Sequence, residues 1–204
     1  MLSVICPIYN EAKYIDVCVQ SILLQDYPKQ QLEVLFVDGM SKDGTRDIVN
    51  NYSKQYPFIR LLNNEKRIVP VAMNIGIKAS IGDIVMRLDA HAQYPPNYFS
   101  VLVKELVRLR ADNVGVACKT DVLNKTSKTL AIREVLSNRF GVGNSTFRLG
   151  VDKVIEVDTV PFGCWKKDVF NKYGFYDERL IRNQDIELNK RIVRGGGHIF
   201  IVPD

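Results

Sequence analysis

The 204-residue chain holds one tryptophan, two histidines and four cysteines, and the scarcities narrow its chemistry. Cys6, Cys18, Cys118 and Cys164 show neither C-x-x-C spacing nor a metal-ligand pattern, which argues against a zinc module or a disulfide framework. Three of them sit in apolar runs and read as buried thiols in a reducing compartment. No apolar run reaches the roughly 18 residues that span a bilayer. The opening Met1-Leu2-Ser3-Val4-Ile5-Cys6-Pro7 lacks a basic n-region and a long apolar stretch, so it reads as a strand and not as a secretory signal. The lysines and arginines are scattered, with no block of like charge. The excess of +5 therefore suits an anionic small molecule or an anionic membrane surface, and no nucleic-acid partner is expected. After the first strand stands Cys-Pro-Ile-Tyr-Asn-Glu, without the glycines of G-x-G-x-x-G, which rules out a dinucleotide-dependent oxidoreductase. There is no internal repeat. The last residues, Ile201-Val202-Pro203-Asp204, directly follow a strand-like run, so the chain is expected to be cut from a longer protein.

What is present is ordinary for a globular domain: 46% hydrophobic and 25% charged residues. Apolar runs at 2–6, 32–37, 59–62 and 83–88 alternate with helical patterns at 12–25, 43–56 and 69–79. That alternation predicts βαβ units in an α/β fold with a Rossmann-like, mostly parallel central sheet flanked by helices. The second half predicts helices at 97–110, 127–138, 166–173 and 186–194, strands at 114–122 and 157–164, and a Gly- and Asn-rich loop at 138–150. Ligands of such sheets sit beyond the carboxyl ends of the strands, which selects the clusters at 7–11, 38–43 and 89–91.

Residues 84–95 read IVMRLDAHAQYP. An apolar strand that ends in Asp89 and His91 needs a partner for both, because burying either alone costs several kcal/mol. At i and i+2 they lie on one side of an extended segment. Carboxylate with imidazole suits Mn²⁺ or a similar ion, whereas Mg²⁺ favours oxygen ligands throughout. Two protein ligands leave coordination for a substrate diphosphate to complete. The plainer alternative is that Asp89 caps the next turn and His91 lies on the surface.

The pattern extends beyond this run. SVICPIYNEAKYI, VDGMSKDGT, MNIGIKASIGDIVMRLDAH and GFYDERLIRNQDIELNKRIVRGGG occur in register along the chain. Together they resemble the inverting family 2 glycosyltransferases of GT-A fold, and RLDAHAQYP and RNQDIELNKR are most similar to bacterial exopolysaccharide enzymes of the succinoglycan-biosynthesis type. The resemblance implies a single GT-A domain, 1–204, with a nucleotide-sugar-binding half (1–92) and a smaller acceptor-binding half (93–204). It implies a nucleotide-diphosphate sugar donor, a UDP-sugar in particular, and a glycan or lipid-linked acceptor. It also implies a divalent cofactor, Mn²⁺ or Mg²⁺, and a cytoplasmic location at the inner membrane face through segments outside this chain.

Residue by residue, the resemblance puts Pro7 and Tyr9 against the base, Glu11 on ribose hydroxyls, and Asp38 on the imide N–H of uracil. Arg67 would reach the base or the phosphates, Asp89 and His91 would hold the metal, and Gln184 would meet the acceptor; Trp165, after Gly163-Cys164, reads either as a platform for the acceptor sugar or as a core residue. Asp43 reads instead as a helix N-cap. Two departures stand out. His91 replaces the family's second Asp, which leaves the preferred ion open. Gln184-Asp185 replaces Glu-Asp, so Asp185 inherits the role of catalytic base, with Glu187 as its rival. A non-catalytic nucleotide-sugar-binding module is the alternative to an enzyme.

Overall fold

Strands β1 (Leu2–Ile8), β2 (Leu32–Asp38) and β4 (Ile84–Arg87) are buried nearly throughout, as strands covered on both faces must be. With β3 (Ile59–Asn63) they pair in parallel in the order β3-β2-β1-β4. Parallel neighbours need long crossovers, and α1 (Ile15–Leu23), α2 (Thr45–Gln55) and α3 (Val69–Ala79) supply helices for them. This computed structural model describes residues 1–118, 121–122, 124–142 and 146–203.

The remaining elements are α4 (Tyr98–Arg108), β5 (Asn113–Val116), α5 (Ser127–Ser137), α6 (Arg139–Val142), β6 (Ile155–Glu156), β7 (Cys164–Lys166), α7 (Asp168–Tyr173), α8 (Gln184–Arg194) and β8 (Ile199–Val202). Among the described residues one sheet runs β3-β2-β1-β4-β7-β5-β8-β6. β7 lies antiparallel between β4 and β5, β5 pairs in parallel with β8, and β6 closes the edge antiparallel to β8. Residues of α1, α2 and α4 pack on one face around Val4, Cys6 and Phe36. Those of α3, α7 and α8 pack on the other around Ile5, Leu35 and Val85.

The MNIG segment explains itself within α3. A Cβ on Gly76 would lie 2.5 Å from Ile5 Cγ2, so only glycine lets α3 approach β1 this closely. Asn74 uses its whole amide on the chain after α7: Nδ2 donates to Tyr176 O at 2.9 Å, and Tyr176 N donates to Asn74 Oδ1 at 3.0 Å.

Four expectations change. No strand forms over 157–163; β6 ends before it at Glu156 and β7 begins at Cys164, after Phe162 and Gly163 take φ of 61° and 77°, incompatible with a ladder. The strand expected at 114–122 is the shorter β5; residues 119 and 120 lie outside the described residues. The segment 138–150 contains the short helix α6 and a 3₁₀ turn, Thr146–Arg148, while 143–145 lie outside the described residues. Trp165 does not face an acceptor. It is 1% exposed, with Phe170 and Tyr176 ring centroids 5.7 Å and 6.4 Å away, because its position in β7 points it to the apolar face beneath α7.

Candidate active site

Pro7, Tyr9, Glu11, Arg67, Asp89 and His91 line a single cavity. Pro7 is the penultimate residue of β1, Gly39 follows β2 and Asp89 lies just beyond β4, so the cavity opens at the carboxyl ends of the parallel strands, as such sheets dictate. Tyr9 stays 48% exposed and lies over Gly39, where a Cβ would stand 3.0 Å from its ring. An exposed aromatic face in a cleft is a platform for a flat ligand.

Asp38 is corrected. Its carboxylate is wholly buried and accepts from Ser41 N, from Ser41 Oγ and, at 2.5 Å, from Arg46 Nη1. A side chain closed on three partners anchors the loop after β2 and offers nothing to a base. Gln184 is corrected too: it is 9% exposed, on the same helical stripe as Leu188 and Ile192, four and eight residues on. Asp43 behaves as a loop and helix-entry ligand, accepting from Ala12 N and from Thr45 N and Oγ1. These bonds hold its carboxyl below the ordinary range, the Thr45 hydroxyl first among them.

The Asp89 turn is held from below. Tyr94 Oη accepts from Asp89 N at 2.8 Å and donates to Asp89 O at 3.1 Å, so one buried phenol fixes both ends of that residue's backbone. Asp89 Oδ1 accepts from Arg87 Nε and Nη2 at 3.3 and 3.1 Å, and Oδ2 has no donor among the described residues. His91 Nδ1 lies 3.3 Å from Glu11 Oε1, with the imidazole 59% exposed. Among the described residues no three His, Cys, Asp or Glu converge as a complete metal cage. A free carboxylate oxygen beside an exposed imidazole fits a cation of Mn²⁺ type that completes its shell from a bound molecule and water.

Asp185 sits in the first turn of α8, where the helix N-terminus favours an acid. Arg87 Nη1 donates to both its oxygens, at 2.8 and 2.7 Å, and Tyr176 Oη donates to Oδ1 at 3.1 Å. Burial raises the Asp185 carboxyl above the ordinary 3.8, against the pull of Arg87. Burial alone would lower Arg87, but the Asp185 and Asp89 charges raise it instead, so the guanidinium stays charged at any working pH. Glu187 is engaged elsewhere. It pairs with Arg191 at 2.6 Å, and Arg191 also donates to the carbonyls of Tyr173 and Phe175. Positions i and i+2 point about 200° apart on a helix, so Glu187 faces away from Asp185's partners.

Sequence reasoning passed over Arg87, Tyr176 and Arg46. For Arg87 the signal was available: a cation inside the apolar run IVMRLD demands a buried partner as much as Asp89 does.

Comparison with known proteins gives the family and the fold. A Methanococcus voltae protein described as dolichyl N-acetyl-alpha-D-glucosaminyl phosphate 3-beta-D-2,3-diacetamido-2,3-dideoxy-beta-D-glucuronosyltransferase is 29% identical over 208 residues, covering 100% of this chain and 64% of the relative. Succinoglycan biosynthesis protein ExoA of Rhizobium meliloti is 30% identical over 210 residues, covering 97% of this chain and 59% of the relative. The chain thus spans about three fifths of the length of these relatives. Among solved structures, S. aureus TarS 1-349 in complex with UDP-GlcNAc superposes with a TM-score of 0.76 at 21% identity, over 100% of this chain and 56% of that one. Mannosyltransferase PcManGT from Pyrobaculum calidifontis, in complex with GDP-Man and Mn²⁺, gives 0.73 at 24%, over 100% and 55%. These likenesses carry the fold, which is GT-A. Residues 3–174 match the family profile itself, and the chain belongs to glycosyl transferase family 2.

Proposed function

We propose that this chain is the catalytic core of a metal-dependent, inverting glycosyltransferase that moves a sugar from a nucleotide-diphosphate sugar, a UDP-sugar first, to a hydroxyl of a glycan or lipid-linked acceptor. Residues 1–92 hold the donor and 93–204 the acceptor. The observation that carries this reading is one cavity bearing Asp89 and His91 with Asp185 joined to it through Arg87. In this reading Tyr9 stacks on the base, Pro7 walls it, Glu11 meets the ribose and Arg67 the phosphates. Asp89 and His91 would hold a divalent cation, Mn²⁺ or Mg²⁺, which when bound offsets the charge that builds on the leaving diphosphate.

Asp185 takes the proton of the acceptor hydroxyl as that oxygen bonds to the anomeric carbon and the carbon–oxygen bond to the diphosphate breaks. One carboxylate base without a protein nucleophile gives a single displacement and inversion. The relatives' printed names, a dolichyl-linked transferase and a succinoglycan biosynthesis protein, support a role in polysaccharide or glycolipid synthesis; a place at the inner face of a membrane, through segments outside this chain, is part of this proposal. No helix among the described residues is long and apolar enough to cross one.

The test is a panel of UDP-glucose, UDP-GlcNAc and GDP-mannose, each followed for turnover and binding with and without Mn²⁺. Turnover of at least one, dependent on the metal, is expected; binding without turnover in any acceptor mixture leaves the non-catalytic module instead. Asp89→Ala should abolish the Mn²⁺-dependent part of UDP binding in calorimetry. The nucleotide contacts proposed for Tyr9 and Glu11 need no metal, so metal-independent binding stays in place. The pH profile follows from burial. The base works deprotonated, so turnover should rise along an acid limb lying above the ordinary 3.8 of an Asp. The raised carboxyl also binds its proton more tightly folded than unfolded. Its contribution to stability is therefore present at low pH and is lost as pH rises through that same window.

A further inference from the structure

Among the described residues the guanidinium of Arg87 is the one charged group that pairs with both Asp89 and Asp185. It is 6% exposed and flanked by the Phe162 ring, whose centroid lies 5.3 Å away. Its Nη1 grips both oxygens of Asp185, while Nε and Nη2 converge on a single oxygen of Asp89. A planar fork with fixed donor directions dictates where each acceptor must lie; a lysine ammonium does not. The arginine itself is immobilised by its place at the carboxyl end of β4, by burial and by the aromatic ring.

We infer that Arg87 is a shared positioning residue, a single rigid fork that sets the donor-side carboxylate Asp89 and the acceptor-side carboxylate Asp185 at a fixed spacing and orientation. The inference rests on the glycosyltransferase reading and adds to it a residue outside the motif positions that defined the site. Two features give it physical content. Asp89 is left with Oδ2 alone directed away from the fork, so Arg87 selects which oxygen faces the cavity. Asp185 is likewise turned by the bidentate contact and by Tyr176, whose own backbone is pinned by Asn74. Both carboxylates are thus aligned before any substrate arrives, and misplacement by about 1 Å is enough to cost on the order of a hundredfold in rate.

Arg87→Lys keeps the charge and removes the fork, and Arg87→Met removes both. Turnover should be followed with whichever of UDP-glucose, UDP-GlcNAc or GDP-mannose the wild type accepts, and binding of UDP with Mn²⁺ by calorimetry. Arg87→Lys should lower kcat by about ten- to a hundredfold and weaken the Mn²⁺-dependent part of UDP binding, while the UDP Kd without metal stays within about threefold of wild type. The double variant Arg87→Lys/Asp185→Asn should lose less relative to Asp185→Asn than Arg87→Lys loses relative to wild type, because the fork then has only Asp89 left to orient. An Arg87→Lys protein with wild-type kcat overturns the inference, as does a loss of metal-free UDP affinity that matches the loss of kcat, which makes Arg87 a plain phosphate ligand. Additive losses in the double variant overturn it as well, because they assign Arg87 a general structural role. If Arg87→Met fails to fold, melting of Arg87→Lys within a few degrees of wild type keeps the comparison valid. A wild type that binds no UDP and turns over none of the three donors defeats the glycosyltransferase reading itself, a result separate from any of these.

Discussion

Asp185→Asn should lower transfer by about a hundred- to ten-thousand-fold, the range that a positioned general base contributes. UDP binding should stay near the wild-type value. The amide matches the carboxylate in size, and its oxygen still accepts from Arg87, so the fold and the donor cavity survive the change. What is lost in the proposed mechanism is the general base, and Glu187 is committed to Arg191. Single-turnover kinetics with saturating donor, beside UDP calorimetry on the same samples, separates the two effects. Near-normal transfer by Asp185→Asn together with an inactive Glu187→Gln would move the base two residues along the helix and reverse the assignment.

Trp165→Ala should be the most damaging single change to stability. The side chain is buried among Phe170 and Tyr176, and truncating a buried Trp costs about 3–5 kcal/mol in lost transfer and cavity terms. For a chain near 200 residues that corresponds to a melting temperature lower by roughly 10 °C or more. Trp165→Phe should cost far less, because its indole Nε1 has no hydrogen-bond partner here and a phenyl ring leaves no buried donor unsatisfied. Thermal melts of the two variants read this directly. Unchanged melting of Trp165→Ala with a raised acceptor KM would return the ring to the binding surface.

Much of this architecture was legible in the sequence because its strands are short, apolar and separated by amphipathic helices. The run 32–37 lacks polar alternation, and a strand with both faces covered needs none. The crevice residues were legible for the complementary reason: polar side chains at strand ends have no place in a core. Legibility failed where a polar residue satisfies its own neighbourhood. Asp38 sits at a strand end as a ligand-reading acid would, yet Arg46, eight residues on, closes on it. Spacing alone does not show which of the two an aspartate serves. Trp165 failed differently. It adjoins a predicted cleft, but β7 begins at Cys164, after the break at Phe162-Gly163, and that register turns the indole inward. A one-residue shift in strand register exchanges the two faces, which no composition argument detects. Arg87 was visible and went unasked.

The three-residue strand β7 carries a consequence for biosynthesis. Among the described residues its pairing with β4 and with β5, where Trp165 stands opposite Val85 and Asn113, is the only link in the sheet between the four amino-terminal strands and the rest. Until the ribosome has released residue 166, β4 is an open edge offering unpaired amides to any neighbouring chain. With partners about 80 positions apart the closure is entropically late. Nascent or prematurely terminated chains ending before this point should therefore be the aggregation-prone species, and chaperone demand should peak in that interval of synthesis.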